Sequence, residues 1–180
     1  MSKKVNNILP PNNSNEKIMV DFSQFPYLFS SVKYNDFTNY LSNCFEFFDK
    51  LKYIFEKLIP FVSEHTYNDI NSASKHSHPI TNGSKEMKLV ENIIKEKLKN
   101  DYGYDDNDIN NFFVNNINDY QMWQLGLLSD VRIIGIRYMN RFKPIFIDYH
   151  HLIFPDKNYN QKNYEKFNFC PMNGECKYEK

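Results

Sequence analysis

The stretch YQMWQLGLLSDVRIIGIRYMNRFKPIFIDY, residues 120–149, decides the fold class. Its apolar residues fall into three segments with a period near two, which is typical of β-strands. The segments are 120–127, 131–139 and 142–149. Ser129-Asp130 and Asn140-Arg141 lie between them, and such short connections favour an antiparallel meander. Pro144 has no N–H to donate, so we expect the third strand to be an edge strand or to bulge there.

Upstream of this stretch the apolar period is close to four, which predicts helices. The longest runs from Asp36 to Ile59, and its apolar positions recur at alternating spacings of four and three. They are Phe37, Leu41, Cys44, Phe48, Leu51, Phe55 and Leu58. Two further helices are predicted over Lys85–Lys99 and Asp106–Asn118. A homodimer through the helix Asp36 to Ile59 is the alternative to a helix packed into the core.

These patterns together predict an α+β fold in which long N-terminal helices pack on a C-terminal three-stranded antiparallel meander. A length of 180 residues suits one domain. We place that domain at 21–160, after a disordered arm at 1–20 and before a tail at 161–180. The arm is rich in Asn and contains Pro10-Pro11, so it cannot build a core.

Charge and cysteine content restrict the class of protein. The chain has 22 Lys and Arg against 22 Asp and Glu, without the basic excess of a dedicated nucleic-acid binder, although a local basic patch is compatible with a neutral total. Three cysteines do not suggest a disulfide framework, and Cys44 is expected to be an inert core residue. Because neither a signal peptide nor an apolar run of about 18 residues is visible, we predict a cytoplasmic protein without membrane contact.

The first candidate site follows the third predicted strand, at Asp148, His150 and His151. An aspartate can orient a neighbouring histidine and make it more basic, which suits acid–base catalysis at neutral pH. These three residues are therefore the catalytic candidates, together with His78. The alternative is that Asp148 caps a turn and that the histidines are surface residues.

The second group of candidates would bind substrate. Arg132 and Arg137 of the middle strand could hold a phosphate bidentately. Lys75 and His76 lie in a long polar loop, with His78 two residues further on, and they could contact the same phosphate. The alternative is an ordinary polar loop. We expect the histidine and lysine candidates to form one site with Asp148.

A zinc site is the competing use of these residues. His76 and His78 would project to one side of an extended segment, and His150 or Asp148 could complete a ligand set. Two histidines alone are not a site, and the spacing of Cys170-x5-Cys176 is wider than that of zinc ribbons. We therefore predict no metal and no cofactor.

The block 124–155 resembles one found in small, largely uncharacterised proteins of Gram-positive bacteria and their phages. The resemblance rests on a short set of residues, joined upstream by Lys75, His76 and His78. The set is Arg132, Gly135, Phe142, Asp148, His151 and Pro155. No settled activity comes with that family. The Arg-x-x-Gly strand and following hairpin also resemble the C-terminal sheet of RelE-like toxins, which implies ribonuclease activity. The chain departs from those toxins in its neutral charge and its extra helices.

Two functions follow as hypotheses. The first is an RNA-directed phosphodiesterase of toxin or phage-defence type, which would use histidines as acid–base groups and Arg and Lys as phosphate contacts. The second is a non-enzymatic module of a phage or other mobile element that binds a host or phage protein through exposed aromatic residues. Convergence of His76, His78 and either His150 or His151 in one pocket would favour the enzyme.

Overall fold

A computed structural model of the chain describes residues 15–23, 27–117, 120–156, 160 and 163–174. Its helices and strands are, in chain order, β1 (Met19–Val20), β2 (Lys33–Tyr34), β3 (Phe37–Thr38), α1 (Cys44–Tyr53), a π-helix (Ile54–Leu58), α2 (Ile59–Ser63), α3 (Ile70–Ala73), β4 (His78–Pro79), α4 (Lys85–Tyr102), α5 (Asp106–Asn116), β5 (Gln121–Leu125), β6 (Arg132–Tyr138), β7 (Arg141–Asp148) and a 3-10 helix (Tyr164–Lys166).

The sheet is larger than the predicted meander. Five strands lie in the order β1-β7-β6-β5-β4, with β1 parallel to β7 and the other neighbours antiparallel. A separate antiparallel pair joins β2 to β3. The chain is α+β, but the prediction of long N-terminal helices over a three-stranded meander is wrong. Strands β1 and β4 have two residues each, too few to show any side-chain period, and backbone hydrogen bonds alone place them.

Both faces of the sheet are covered. On one face, Val90 of α4 packs in a buried cluster with Ile134 of β6. On the other face, Val62 of α2 packs in a second cluster with Ile133 of β6. Strand β6 is therefore buried on both sides over most of its length, which explains its nearly continuous apolar sequence.

The predicted helix from Asp36 to Ile59 is wrong at its start and in its buried face. Residues Phe37 and Leu41 are buried, but they lie in β3 and in an isolated bridge before α1 begins. Phe48 and Phe55 are 55% and 49% exposed, whereas Ile54 and Leu58 are buried.

A widened turn causes this change of face. The N–H of Ile59 donates to Ile54 O, five residues back, as in a π-helix. Pro60 follows, and it has no N–H with which to close an ordinary helical turn. An extra residue in one turn rotates the later side chains by about 100° relative to a regular helix. The regular spacing in the sequence therefore does not describe one buried face.

Local signals elsewhere were correct. Ser84 caps α4, because its Oγ accepts a hydrogen bond from the N–H of Met87 at 3.0 Å. Gly103 ends the helix with φ 66°.

The expected bulge at Pro144 is confirmed: Gly135 pairs with Pro144 where the β6–β7 register shifts. A Cβ on Gly135 would clash with a backbone oxygen of β7, so this position needs glycine.

The two ends of the chain are described in part. Ile18 is 2% exposed and Met19–Val20 pairs with β7, so the predicted arm does not extend to residue 20. Residues 1–14 lie outside the described residues. Within the predicted tail, Phe169 bridges to Leu41. Residues 175–180 also lie outside the description.

Within the described residues, no helix has the length and apolarity that a membrane crossing requires. Cys44 is buried but disulfide-bonded, so the expectation of an inert core thiol is wrong. Cys170 is a buried free thiol.

Candidate anion-binding pocket

A pocket of about 360 Å³ lies beside the start of β6. Four parts of the chain form it: the turn before β4, the β5–β6 loop with the first residue of β6, the turn that follows β7, and the segment from Asp156 to Tyr164 as far as it is described. Its principal side chains are Lys75, His76, Asp130, Arg132, His151 and Tyr164. The volume lies at the lower end of the range for pockets that bind small organic ligands, roughly 300–1,000 Å³.

Arg132 forms the floor of this pocket and is only 2% exposed. Its Nη1 donates to the carbonyl oxygens of Ser129 and Val131, and its Nη2 lies 3.1 Å from His76 Nδ1. In the described part of the chain, Nε has no hydrogen-bond partner and no carboxylate lies within ion-pair distance of the guanidinium. The carboxylates of Asp148 and Asp130 act on the guanidinium at longer range. A buried charge without a counterion in direct contact is still costly, and an anion in the pocket would offset that cost.

Gly126 makes room for Arg132, and the sequence analysis missed it. A Cβ there would lie 2.5 Å from Arg132 Cδ and 3.1 Å from the backbone oxygen of His76. Gly126 O accepts hydrogen bonds from Ser74 Oγ at 3.0 Å and Ser77 Oγ at 2.7 Å, and its N–H donates to Ser77 Oγ at 3.0 Å. The glycine thus fixes the turn that carries His76. The available signal was a glycine near the end of the first strand segment, in a chain with five glycines.

His76 is held as a neutral imidazole against Arg132. A guanidinium only donates hydrogen bonds, so the Nδ1 that faces Arg132 Nη2 must accept, and the ring proton is on Nε2. Burial lowers the pKa of His76, and the positive charges of Arg132 and Lys75 lower it further.

His151 faces His76 across the pocket, with the two rings perpendicular and their centroids 6.0 Å apart. Burial, with the charges of Arg132 and His76, lowers the pKa of His151 to about 4. The imidazole is therefore neutral at physiological pH and can accept a proton. His151 also has φ 57°, in the left-handed region that residues other than glycine seldom adopt. Backbone strain of this kind is concentrated at functional sites.

Asp148 and His150 build the turn that presents His151. Asp148 is fully buried and accepts hydrogen bonds from the N–H groups of His150 at 3.1 Å and Ile153 at 2.9 Å. Burial raises the pKa of Asp148, and these N–H groups oppose the increase. His150 is 1% exposed; its Nε2 donates to Tyr40 O at 2.7 Å and its ring stacks on Tyr164. The turn-cap alternative thus describes Asp148, while His150 contributes to the pocket wall.

Two predicted residues do not reach the pocket. His78 Nδ1 donates to Pro79 O at 3.0 Å, and the ring packs edge-on against Phe154. Arg137 lies over the ring of Tyr67, 4.2 Å from its centroid, at the other end of β6.

The separation of His78 from His76 has a local cause. Two residues at i and i+2 share a face only in an extended chain. The N–H of Ser77 donates to Ser74 O, so His76 lies in a tight turn and only His78 belongs to β4. Polar loop composition did not distinguish a turn from a strand.

The charges around the pocket favour an anion. Lys75 and Arg132 contribute positive charge. Asp130 at the rim is paired with Lys50 at 2.5 Å, which offsets its charge, and Asp156 is the other acidic residue of the lining. Among the described residues, no group of three or more His, Cys, Asp or Glu could hold a metal ion.

Fold and pocket define an α+β protein in which one buried guanidinium and three imidazoles, those of His76, His150 and His151, line one cavity. Residues 23–177 match the model of the family described as Uncharacterised protein UU032, and the chain belongs to that family. A relative from Ureaplasma parvum serovar 3, itself described as Uncharacterized protein UU032, is 29% identical over 184 residues, which cover 96% of this chain and 95% of the relative. No solved structure matches the chain. Membership of a small uncharacterised family is thus confirmed.

Proposed function

We propose that this protein is an RNA-directed phosphodiesterase that binds the scissile phosphate in the pocket beside Arg132. The observation that carries the proposal is the buried Arg132 guanidinium, which has no carboxylate partner among the described residues and shares its pocket with His76 and His151. An arginine fork matches two phosphate oxygens, and imidazoles are suited to proton transfer near neutral pH.

The reaction would be a transesterification by the 2′-hydroxyl of the substrate. His151 takes the hydroxyl proton, and the oxygen attacks phosphorus. The bond to the 5′-oxygen breaks, and that oxygen takes up a proton from an acid in the pocket or from water. The products are a 2′,3′-cyclic phosphate and a 5′-hydroxyl end. Arg132 and Lys75 stabilise the charge that develops on the phosphate oxygens. The pKa of about 4 keeps His151 neutral before substrate binds but makes it a weak base. The negative charge of a bound phosphate would raise that pKa towards the neutral range that proton transfer needs.

The roles of the other candidates change in this proposal. Asp148 and His150 act as positioning residues, since their hydrogen bonds shape the turn that carries His151. His78 and Arg137 take no part, because their side chains are held elsewhere. His76 contacts Arg132 directly and belongs to the site.

The biological setting is part of the proposal. A ribonuclease of toxin or phage-defence type, as the resemblance to RelE-like toxins suggests, would arrest growth when its expression is induced. RNA is a cytoplasmic substrate, so we also propose the cytoplasmic location. Because Cys44 is disulfide-bonded, a state more common in oxidising compartments, cell fractionation tests the location separately.

The test is cleavage of a single-stranded RNA by the purified protein, with the DNA of the same sequence as a control that lacks the 2′-hydroxyl. Wild type should cleave RNA alone. His151→Asn should lose about 10²–10⁴-fold in rate, the usual contribution of a general base. Asparagine is chosen because it tolerates positive φ. The matched control, His78→Asn, should cleave normally. A folded wild-type protein without RNA cleavage would refute the enzyme.

A second candidate function rests on exposed aromatic rings. Phe45, Phe48 and Phe55 lie along α1 and the π-helix and are 55%, 55% and 49% exposed. Exposed apolar surface of this kind marks interaction sites. The occupant would be a host or phage protein or a second copy of the chain. Sedimentation at increasing concentration would detect self-association, which Phe48→Glu should abolish.

A further inference from the structure

We propose that a phosphate-type anion displaces the His76 imidazole from Arg132, and that His76 takes up a proton as it is displaced. The inference rests on the phosphate site of the proposed function and adds how that site opens. It assigns His76 a second role, as the acid that the pocket lacks before an anion binds.

The first step is steric. Arg132 lines the pocket yet is only 2% exposed, because neighbouring groups cover it. Its Nη1 is engaged by backbone oxygens, and its Nη2 faces His76 Nδ1 at 3.1 Å. Nη2 has two N–H groups, and one of them faces His76 Nδ1. A ligand oxygen that takes this N–H must occupy the place of His76 Nδ1. The imidazole serves as a neutral acceptor for the guanidinium until an anion arrives.

The second step concerns the movement itself. The backbone of His76 is anchored, since its N–H donates to Ser74 Oγ at 3.3 Å and its oxygen accepts from Gln124 Nε2 at 3.2 Å. Side-chain rotation alone can therefore take the ring away from Arg132 while the turn stays in place. Gly126, which contacts both the turn and Arg132, keeps the guanidinium where it is.

The third step is electrostatic. The charged and titratable groups that act on His76 are Arg132, Lys75 and His78 on the basic side, with His151 across the cavity and Asp130 and Asp156 in the lining. Before an anion binds, burial and the basic groups lower the pKa of His76. Bound sulfate adds two negative charges beside the ring; an RNA phosphodiester adds one, and a second develops as the 2′-oxygen attacks. Either anion also frees the Nδ1 lone pair from Arg132. Both changes favour the imidazolium.

The consequence for catalysis is a complete acid–base pair. His151 receives the proton of the attacking 2′-hydroxyl, and the protonated His76 gives its proton to the departing 5′-oxygen. Each imidazole then exchanges one proton with solvent, so protons and charge balance over the cycle. Until the anion binds, both rings are neutral, and no imidazolium is available for the second task.

The experiment uses inorganic sulfate, which stays a dianion over the whole neutral range. Isothermal titration calorimetry at neutral pH, in two buffers of different ionisation enthalpy, counts the protons taken up on binding. We expect uptake approaching one proton, and an affinity that falls as pH rises, by at most about tenfold per pH unit. The 15N signal of His76 Nδ1 should move to the protonated position when sulfate is added.

Variants assign the proton to its residue. His76→Asn should bind sulfate with little proton uptake, whereas the matched control His65→Asn, whose ring contacts Phe61 O outside the pocket, should behave as wild type. Arg132→Met should lose sulfate binding. The inference is overturned by an absence of sulfate binding, by binding without proton uptake, or by undiminished uptake in His76→Asn. Failure of the enzyme is separate: sulfate binding with proton uptake, but no RNA cleavage, would refute only the phosphodiesterase.

Discussion

The two arginines of β6 lie at opposite ends of one strand and have different surroundings. Arg132 lies under His76 at the start of the strand, 2% exposed. Arg137 lies over the ring of Tyr67 and donates from Nε to Met139 O. They are five positions apart, which puts them on opposite faces and about 17 Å apart along the strand. One phosphate cannot bind both, so their shared residue type says nothing about a shared site.

The difference shows what turns an arginine into a candidate anion site. An aromatic ring supplies Arg137 with a favourable cation–π contact, which stabilises its charge. At Arg132 the contacting groups are carbonyl oxygens and a neutral imidazole, which satisfy hydrogen bonds. The carboxylates of Asp148 and Asp130 stabilise the charge only from beyond ion-pair distance. The lack of a contacting counterion at Arg132, and not the residue type, indicates that the ligand is an anion.

The largest expected effect separates the two arginines by activity. Arg132→Met should lower RNA cleavage by about 10²–10³-fold, because a preorganised donor to the phosphate is removed. Arg137→Met should cleave at the wild-type rate per folded molecule. Initial rates on one RNA substrate measure both. Equal losses in the two variants would break the comparison, and circular dichroism would confirm that each variant is folded.

A smaller effect sharpens the description of the Arg132 end. Gly126→Ala places a methyl group 2.5 Å from Arg132 Cδ, so we expect a loss of about 1–3 kcal/mol in unfolding free energy from overpacking. Cleavage should fall as well, since Arg132 or the His76 turn must shift.

Gly83→Ala is the matched control for this substitution. No atom lies within 4 Å of its Cβ position, and only its φ of 78° opposes the change. It should cost about 1 kcal/mol and leave cleavage unchanged. Urea unfolding measures both costs. A Gly126→Ala variant as stable and active as wild type would mean that Arg132 is not held at this glycine.

The next prediction concerns the stability of the Arg137 end. Arg137→Met should cost about 1 kcal/mol through the lost contact with the rings of Tyr67 and Trp123. The control is Arg141→Met, because the Arg141 side chain is 51% exposed and its pairing with Asp21 at 3.5 Å is a surface ion pair. Chemical denaturation should find that control within error of wild type. A larger loss at Arg141 than at Arg137 would contradict the assignment.

The last prediction is a pH dependence at the Arg132 end. The pKa of His151 is about 4 in the folded state, against about 6.5 for an exposed histidine. The folded state therefore favours the neutral ring. Its contribution to stability is complete above about pH 6.5 and is lost as pH falls towards 4.

Melting temperatures of wild type and His151→Asn between these pH values measure that contribution. Wild type should lose stability more steeply on acidification than the variant. Asp148 is present in both proteins, so its own titration cancels in the difference. Parallel curves would show that His151 is not held neutral by its surroundings.

Local signals determined much of the secondary structure. The three strand segments of 120–149 form β5, β6 and β7, and Ser84 and Gly103 delimit α4. Such features depend on neighbours within a few residues, and a sequence states them directly. The helix predicted from Asp36 fails for the opposite reason, because a π-turn before Pro60 changes which side chains are buried.

The candidate site was predictable only in part. The sequence singled out Lys75, His76, Arg132 and His151 by residue type, and all four line one pocket. It could not exclude Arg137 or His78, because their contacts with Tyr67 and Phe154 join residues that are far apart in the sequence.

By itself, the sequence determined the residue types near the site, the α+β content, and the strands and caps that follow from local periodicity and turn chemistry. Only the tertiary structure decided which buried charge lacks a counterion in direct contact. That property depends on the distances between segments as remote as residues 76, 126, 132 and 151, and electrostatic energy depends on distance and burial, not on order along the chain.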